Sequence, residues 1–304
     1  MKFTYKILGL LFLLLFQFSS IFAQDDDMMN MLDAQVPQEP VYTIATFKSD
    51  RVINGQSIER MKKNQLDFRI NHRFGQINSG SYDFWGLDHA YINLSLDYGI
   101  TDWLQVGIRR GNLKVADGSL KFSLLRQCTG SKVIPITLSY FTDLGYNSLK
   151  ITDPFIEDAR IHRLAYTNQI LLARKFNDKF SLQLSPTFVH RNRVDYFEQN
   201  NTYACGLSGR YKMTRRLSLT WEGFYTTSVA HSNNKYQYPV ALGFDLETGG
   251  HVFQLFLTNS QYMIENQVIT QTEGDVTNGG IYFGFNISRV FAMGVGKGGH
   301  RAQD

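Results

Sequence analysis

The feature that most constrains this chain is a strict alternation of apolar and polar residues, repeated in twelve runs from about Asn64 to Phe291. A period of two is strand geometry, because successive side chains on an extended backbone point to opposite faces. In the first run Leu66, Phe68, Ile70, His72 and Phe74 share one face, and Asp67, Arg69, Asn71 and Arg73 share the other. Ala90, Ile92, Leu94, Leu96 and Tyr98 likewise oppose His89, Asn93, Ser95 and Asp97. Later runs repeat the scheme, with Leu217, Leu219 and Trp221 against Ser218, Thr220 and Glu222, and with Phe283, Phe285 and Ile287 against Gly284, Asn286 and Ser288. Only the stretch from Ile161 to Phe176 alternates indistinctly.

A soluble sandwich or barrel turns its apolar face inward, whereas a transmembrane barrel turns it outward to lipid. The polar face decides between them. It is rich in Gly, Ser, Thr, Asn and Gln, the composition of a barrel lumen, while the wet face of a soluble sheet carries many Lys and Glu. The runs are also long, close to the roughly 9–11 tilted residues that cross a bilayer. Links after even runs read short, as in Gly99–Asp102, Gln127–Lys132 and Met213–Arg216. Links after odd runs read longer: Gly75–Gly86, Gly111–Gly118, Thr142–Arg160, Arg191–Asn201, Thr227–Gln237 and Asn259–Gly280. Tight periplasmic turns and longer outer loops produce this asymmetry. The expectation is an all-β, antiparallel, up-and-down transmembrane barrel of about twelve strands.

Composition agrees with that reading. Aromatic residues make up 14% of the chain and gather toward the run ends, where interfacial girdles need them. Charged residues make up 19%, and two Cys exclude a disulfide-dense scaffold. A net charge of +4 gives no support for nucleic-acid binding. Lys2, Lys6, the apolar run Ile7–Phe18 and the small residue Ala23 predict a signal peptide over residues 1–23, and hence export to a Gram-negative outer membrane. Residues 24–63 precede the barrel, residues 64–291 form it, and residues 292–304 form a Gly-rich, flexible tail. The segment Arg51–Glu59 has no membrane-strand spacing and is expected to plug the lumen or lie at the periplasmic rim.

The segments Phe47–Glu59, Ile70–Gly75, Trp85–Ala90 and Asp97–Asp102 together resemble DUF5777, a Bacteroidetes family of secreted β-barrel proteins of unknown function. The resemblance implies an outer-membrane barrel. It carries over no activity and no site residues.

Charge in the lumen is the main functional clue. Asp67, Arg69, Arg73, His89, Asp97, Arg109, Lys121, Arg210, Lys212, Glu222 and Asp245 are expected to face inward. They must pair or stay hydrated there, either stiffening the barrel or choosing a permeant ion. No cofactor is expected, and seven scattered His show no metal-ligand spacing. Cys128 and Cys205 fall at different membrane levels, so no disulfide is expected between them. Gly294–Gly299 lacks the order of a phosphate-binding loop. His231 and Ser232 suggest an outer-membrane lipid hydrolase only weakly, because neighbours on a strand point to opposite faces. The expected partners are outer-membrane lipid, the barrel-assembly machinery and a small polar solute. The leading expectation is a narrow pore or binding barrel for that solute. A closed structural or docking barrel with partner-binding loops is one alternative, and a soluble barrel carrying an apolar ligand is another.

Overall fold

The computed structural model describes residues 39–150, 159–232 and 235–294. The expected signal peptide over 1–23, the start of the pre-barrel segment and nearly all of the expected tail lie outside the described residues. Twelve strands close into one barrel: β1 (Gln65–Gln76), β2 (Tyr91–Gly99), β3 (Leu104–Gly111), β4 (Val115–Leu125), β5 (Thr137–Asn147), β6 (Leu164–Lys175), β7 (Phe180–Arg191), β8 (Asn201–Lys212), β9 (Leu217–Thr226), β10 (Val240–Thr248), β11 (His251–Thr258) and β12 (Tyr282–Ala292). All pairings are antiparallel between chain neighbours, and β12 closes on β1 with Asn286 opposite Asn71. Closure satisfies every strand's backbone groups, which a sheet in hydrocarbon requires. Among the described residues no helix is long and apolar enough to cross a membrane.

The faces follow the alternation. Leu94, Ile108, Leu242 and Leu257 are exposed on the outside, while Ser95, Arg109, Asp245 and Thr258 are buried inside. Two aromatic girdles bracket the outer apolar band. At the end holding the termini, Trp103, Phe122 and Tyr140 stack in sequence, and Phe176 meets Phe180. At the opposite, loop end, Phe74 stacks on Phe283, Tyr225 on Tyr238, and Phe188 meets Tyr203.

The links depart from strict alternation in two places. β3 and β4 are joined only by Asn112–Leu113–Lys114, with Lys114 at φ 64°, so Asp117 belongs to a strand rather than to a loop. The β4–β5 link is long and holds a short strand, Cys128–Gly130, which pairs with Pro40–Tyr42 outside the barrel. This two-stranded sheet fixes the pre-barrel segment at the terminus end, helped by Arg126 over the Tyr42 ring and by Thr43 N–H donating to the Gln127 carbonyl. Cys128 is buried there, and Cys205 is exposed on the outer face of β8.

The lumen is filled rather than hollow. Residues 47–61 enter from the terminus end as a hairpin, turning at Val52–Gly55 with Arg51 bridged to Gln56. The returning arm leaves past Gly99, where an added Cβ would lie 2.0 Å from the Lys62 carbonyl oxygen. From the loop end the β11–β12 link folds inward and carries a short helix, α1 (Glu265–Gln271). Phe47, Val52, Ile53 and Ile58 of the hairpin pack on Phe141, Leu171, Ala173, Ala241 and Phe256 of the wall. This explains the indistinct alternation of β6, whose Leu171 and Ala173 face inward to cover the hairpin. Ile269 of α1 packs on Val189 and Phe224.

Candidate functional site

The candidate site is the plugged lumen and the cavity above it. The hairpin tip is held by a carboxylate. Glu222 accepts the N–H groups of Asn54 (2.7 Å), Gly55 (3.1 Å) and Ile53 (3.3 Å). Consecutive amides at a tight turn all point one way and form a natural anion cradle. Gly55 is required by close approach, since a Cβ there would sit 2.9 Å from the Phe224 ring. Wall side chains take up the remaining polar groups of the hairpin. Gln254 donates to the Val52 carbonyl (2.6 Å), Gln183 to that of Gln56 (2.7 Å) and Asn286 to that of Ile53 (3.1 Å). Lys121 donates to the carbonyls of Asp50, Ser57 and Glu59. Arg73 donates to Asn54 Oδ1 (2.8 Å) and lies 4.2 Å from the centre of the Phe256 ring.

Ion pairs complete the closure. Arg69 pairs with Asp50 of the hairpin and with Asp67 beside it. Glu265 at the start of α1 accepts Arg51 and Gln56 from the hairpin and Arg109 from the wall, each at 2.7 Å. One carboxylate therefore joins the two segments that fill the lumen from opposite ends. Burial by itself raises the Asp50 and Glu265 carboxyls. The neighbouring cations reverse this: Arg69 foremost brings Asp50 to about 2, and Arg109 with Arg51 holds Glu265 below the usual range.

Most residues expected to face inward lie in this network. Asp67, Arg69, Arg73, Asp97, Arg109, Lys121, Arg210, Glu222 and Asp245 are all buried, and Lys212 is half-buried near the rim. Arg210 donates to the Ala45 carbonyl oxygen (2.7 Å). His89 is a correction. β2 begins at Tyr91, and His89 stands in the preceding loop, 55% exposed and 3.9 Å from Asp83. The strand alternation begins only at Tyr91, and His89 and Ala90 belong to the link that follows the positive-φ turn at Phe84 and Trp85. Sequence reasoning also missed Asp117, Asp143 and Glu265, which fell in stretches read as loops. Leaving out Arg191, which pairs with Glu198 near the mouth, the buried carboxylates are Asp50, Asp67, Asp97, Asp117, Asp143, Glu222, Asp245 and Glu265. Among the described residues the buried cations are Arg51, Arg69, Arg73, Arg109, Lys121 and Arg210, so there carboxylates lead eight to six.

Above α1, at the loop end, lies a vestibule of about 310 Å³. Val115, Gly145, Ala165 and Arg191 form its wall, Arg193 and Lys235 its rim, and Asn266 and Gln267 its floor. Ser232 is buried nearby, and its hydroxyl donates to the Val229 carbonyl oxygen and accepts the Tyr236 N–H. It serves the shape of its own link, as a polar loop residue does.

A family model described as a membrane-bound beta barrel domain, DUF5777, matches residues 47–291. Solved structures similar to the chain include the NanC porin, at 9% identity over 76% of this chain and 100% of the porin, with a TM-score of 0.46. The KdgM porin in complex with disordered oligogalacturonate is 9% identical over 75% of this chain and 99% of its own, with a TM-score of 0.45. Outer membrane phospholipase A from Escherichia coli is 12% identical over 75% and 91%, with a TM-score of 0.41. No curated relative matches the chain.

Proposed function

The chain belongs to the DUF5777 family of membrane-bound β-barrel domains, and from that premise we propose that it is an outer-membrane barrel that receives a small polar solute at its loop end and is closed beneath by its own hairpin. The terminus end faces the periplasm in this reading, and the loop end faces outward. The observation that carries the proposal is the vestibule: an accessible polar cavity bordered by Arg191, Arg193 and Lys235, directly above a filled lumen. Arg191 and Lys235 are paired with Glu198 and Asp195 of the same lining, so the mouth is polar and mixed in charge, which suits a small polar solute. Passage requires the hairpin to leave, because its tip and α1 meet at Glu265. The role is binding and transfer without chemistry on the solute.

Planar-bilayer recording tests this reading. Full-length protein should insert and conduct little, while a variant lacking residues 47–61 should conduct. If both insert and neither conducts, passage is rejected. The closed docking barrel would then stand, a reading favoured by the two apolar clusters that fix the hairpin and α1 to the wall.

A further inference from the structure

On the outer wall of the barrel three polar side chains meet where the surface around them is apolar. Asn168 of β6 stands between the buried, inward-facing Thr167 and Gln169, so it points outward. Thr142 of β5 stands between the buried Phe141 and Asp143 and points the same way, as does Tyr140. Strand register makes them neighbours: Asn168 lies opposite Thr142, and Tyr140 lies opposite Ile170. The Asn168 side-chain oxygen accepts the Tyr140 hydroxyl at 2.5 Å and the Thr142 hydroxyl at 3.1 Å. Leu120, Leu144, Ile170 and Phe188 surround the cluster on the same face. It stands between the two aromatic girdles, since Tyr140 belongs to the stack at the terminus end and Phe188 to the pair at the loop end. On β2 the outer face presents Ile92, Leu94 and Leu96 instead, and on β10 it presents Val240, Leu242 and Phe244.

The cluster keeps bonding capacity of both kinds in reserve. Both lone pairs of the Asn168 oxygen are taken, and its amide carries two N–H donors. Among the described residues neither donor meets an acceptor. The Tyr140 and Thr142 hydroxyls each donate, so their oxygens retain free lone pairs. Against acyl chains such groups have nothing to bond, and an amide left unpaired in an apolar medium costs free energy. The neighbouring strand adds a separate feature. Gly118 of β4 lies on the same outer face, with Ile108 opposite it on one side and Leu144 on the other. A Cβ added there would meet nothing within 4 Å, so bare backbone floors an open notch between two protruding side chains. A glycine inside a strand gives up packing, and it marks a place where another chain comes close.

We propose that the outer face of β4, β5 and β6 is the interface of a homodimer within the membrane. The occupant is a second copy of this chain because the cluster is its own complement: Asn168 offers donors, and Tyr140 and Thr142 offer acceptors. A two-fold contact needs this self-complementarity, since the same patch serves both subunits. An axis along the membrane normal keeps every residue at its own depth, so the cluster of one copy meets the same cluster of the other. The Asn168 amide hydrogens then donate to hydroxyl oxygens across the axis, and the Gly118 notch lets the two walls approach. Polar side chains and small residues hold membrane segments together in this way, because lipid removes the hydrophobic drive for their association. The contact lies on the outer wall, away from the vestibule and the hairpin.

The test is sedimentation equilibrium of the full-length protein in density-matched detergent micelles. The native protein should form a dimer. Asn168→Leu, which removes one bond from each copy, should raise its dissociation constant by about tenfold at fixed detergent concentration. Gly118→Leu suits the single chain, because the notch is open, and should weaken the dimer by about tenfold through filling it. Leu242→Ala, on the outer face of β10, should leave the dimer unchanged. A native protein that sediments as a monomer overturns the proposal, and the amide then meets lipid ester or headgroup oxygens. A dimer that is equally tight in Asn168→Leu overturns it as well, by placing the contact elsewhere on the barrel. Should Asn168→Leu not fold, unchanged association of Gly118→Leu decides against it equally. The readout is association alone, so it succeeds or fails independently of solute transfer.

Discussion

Replacing Glu222 with Ala should free the hairpin tip while leaving the barrel closed. The native carboxylate accepts two well-formed backbone bonds, from Asn54 at 2.7 Å and Gly55 at 3.1 Å, and a longer one from Ile53 at 3.3 Å. Hydrogen bonds to a charged group contribute about 1.5–3 kcal/mol each, so the two shorter bonds set a loss of about 3–6 kcal/mol. The upper figure is reached only if the tip stays buried with unpaired amides. A tip that swings into water recovers its hydrogen bonds, so the cost settles near the lower figure. At about 1.4 kcal/mol per tenfold, that lower figure corresponds to roughly a hundredfold rise in tip opening. Hydrogen exchange at the Asn54 and Gly55 amides reads this directly, because exchange reports local opening. Strand amides of β9 near Glu222 supply the control and should keep their protection. Glu222→Gln retains one acceptor oxygen and should give a smaller effect. Native exchange rates at Asn54 and Gly55 in Glu222→Ala would refute the view that this carboxylate holds the tip.

Two further outcomes follow from the same structure. Leu94 points outward and is 46% exposed, so Leu94→Arg should impair insertion by about 2–4 kcal/mol if it sits near the midplane; Tyr82→Arg, at an exposed loop tip, should insert normally in the same folding assay. The hairpin should also respond to acid. Asp50 is buried, yet Arg69 with Lys121, Arg51 and Arg109 brings its carboxyl down to about 2, and a group depressed in the folded state stabilises fully above its ordinary range and loses that contribution as pH falls through the folded value. Exchange protection of the hairpin, corrected for the intrinsic pH dependence of exchange, should therefore hold from about pH 8 to pH 5 and decline between about pH 4 and pH 2.

What was legible in the sequence was whatever repeats at the strand period. Lipid admits only apolar side chains, so Leu94, Leu96 and Leu257 could be assigned outward from spacing alone. The polar face was legible for the same reason, and nine of its charged positions are buried as the alternation requires. The signal faded where the lumen is itself filled. Phe141, Leu171 and Phe256 face inward because the hairpin is there to cover them, and nothing in their own runs announces that cover. Asp117 and Asp143 were lost at strand ends, because the β3–β4 link shrinks to a tight turn at Lys114 and β5 extends to Asn147 into the expected loop. Glu265 had no periodic signal at all, since a link that folds into a cavity obeys neither strand nor membrane spacing. Residues 51–59 stood out only by failing to fit a strand.

The small sheet of Pro40–Tyr42 and Cys128–Gly130 bears on what a displaced hairpin can do. The hairpin is leashed twice, by this rim pairing before it and by its covalent run into β1 after it. It can vacate the bore but cannot diffuse away, so its concentration near its own seat stays at the millimolar level typical of short tethers. Reclosure is then a local event, fast and independent of how many copies share the membrane. Cutting the leash at Pro40–Tyr42 would slow resealing without altering the seat.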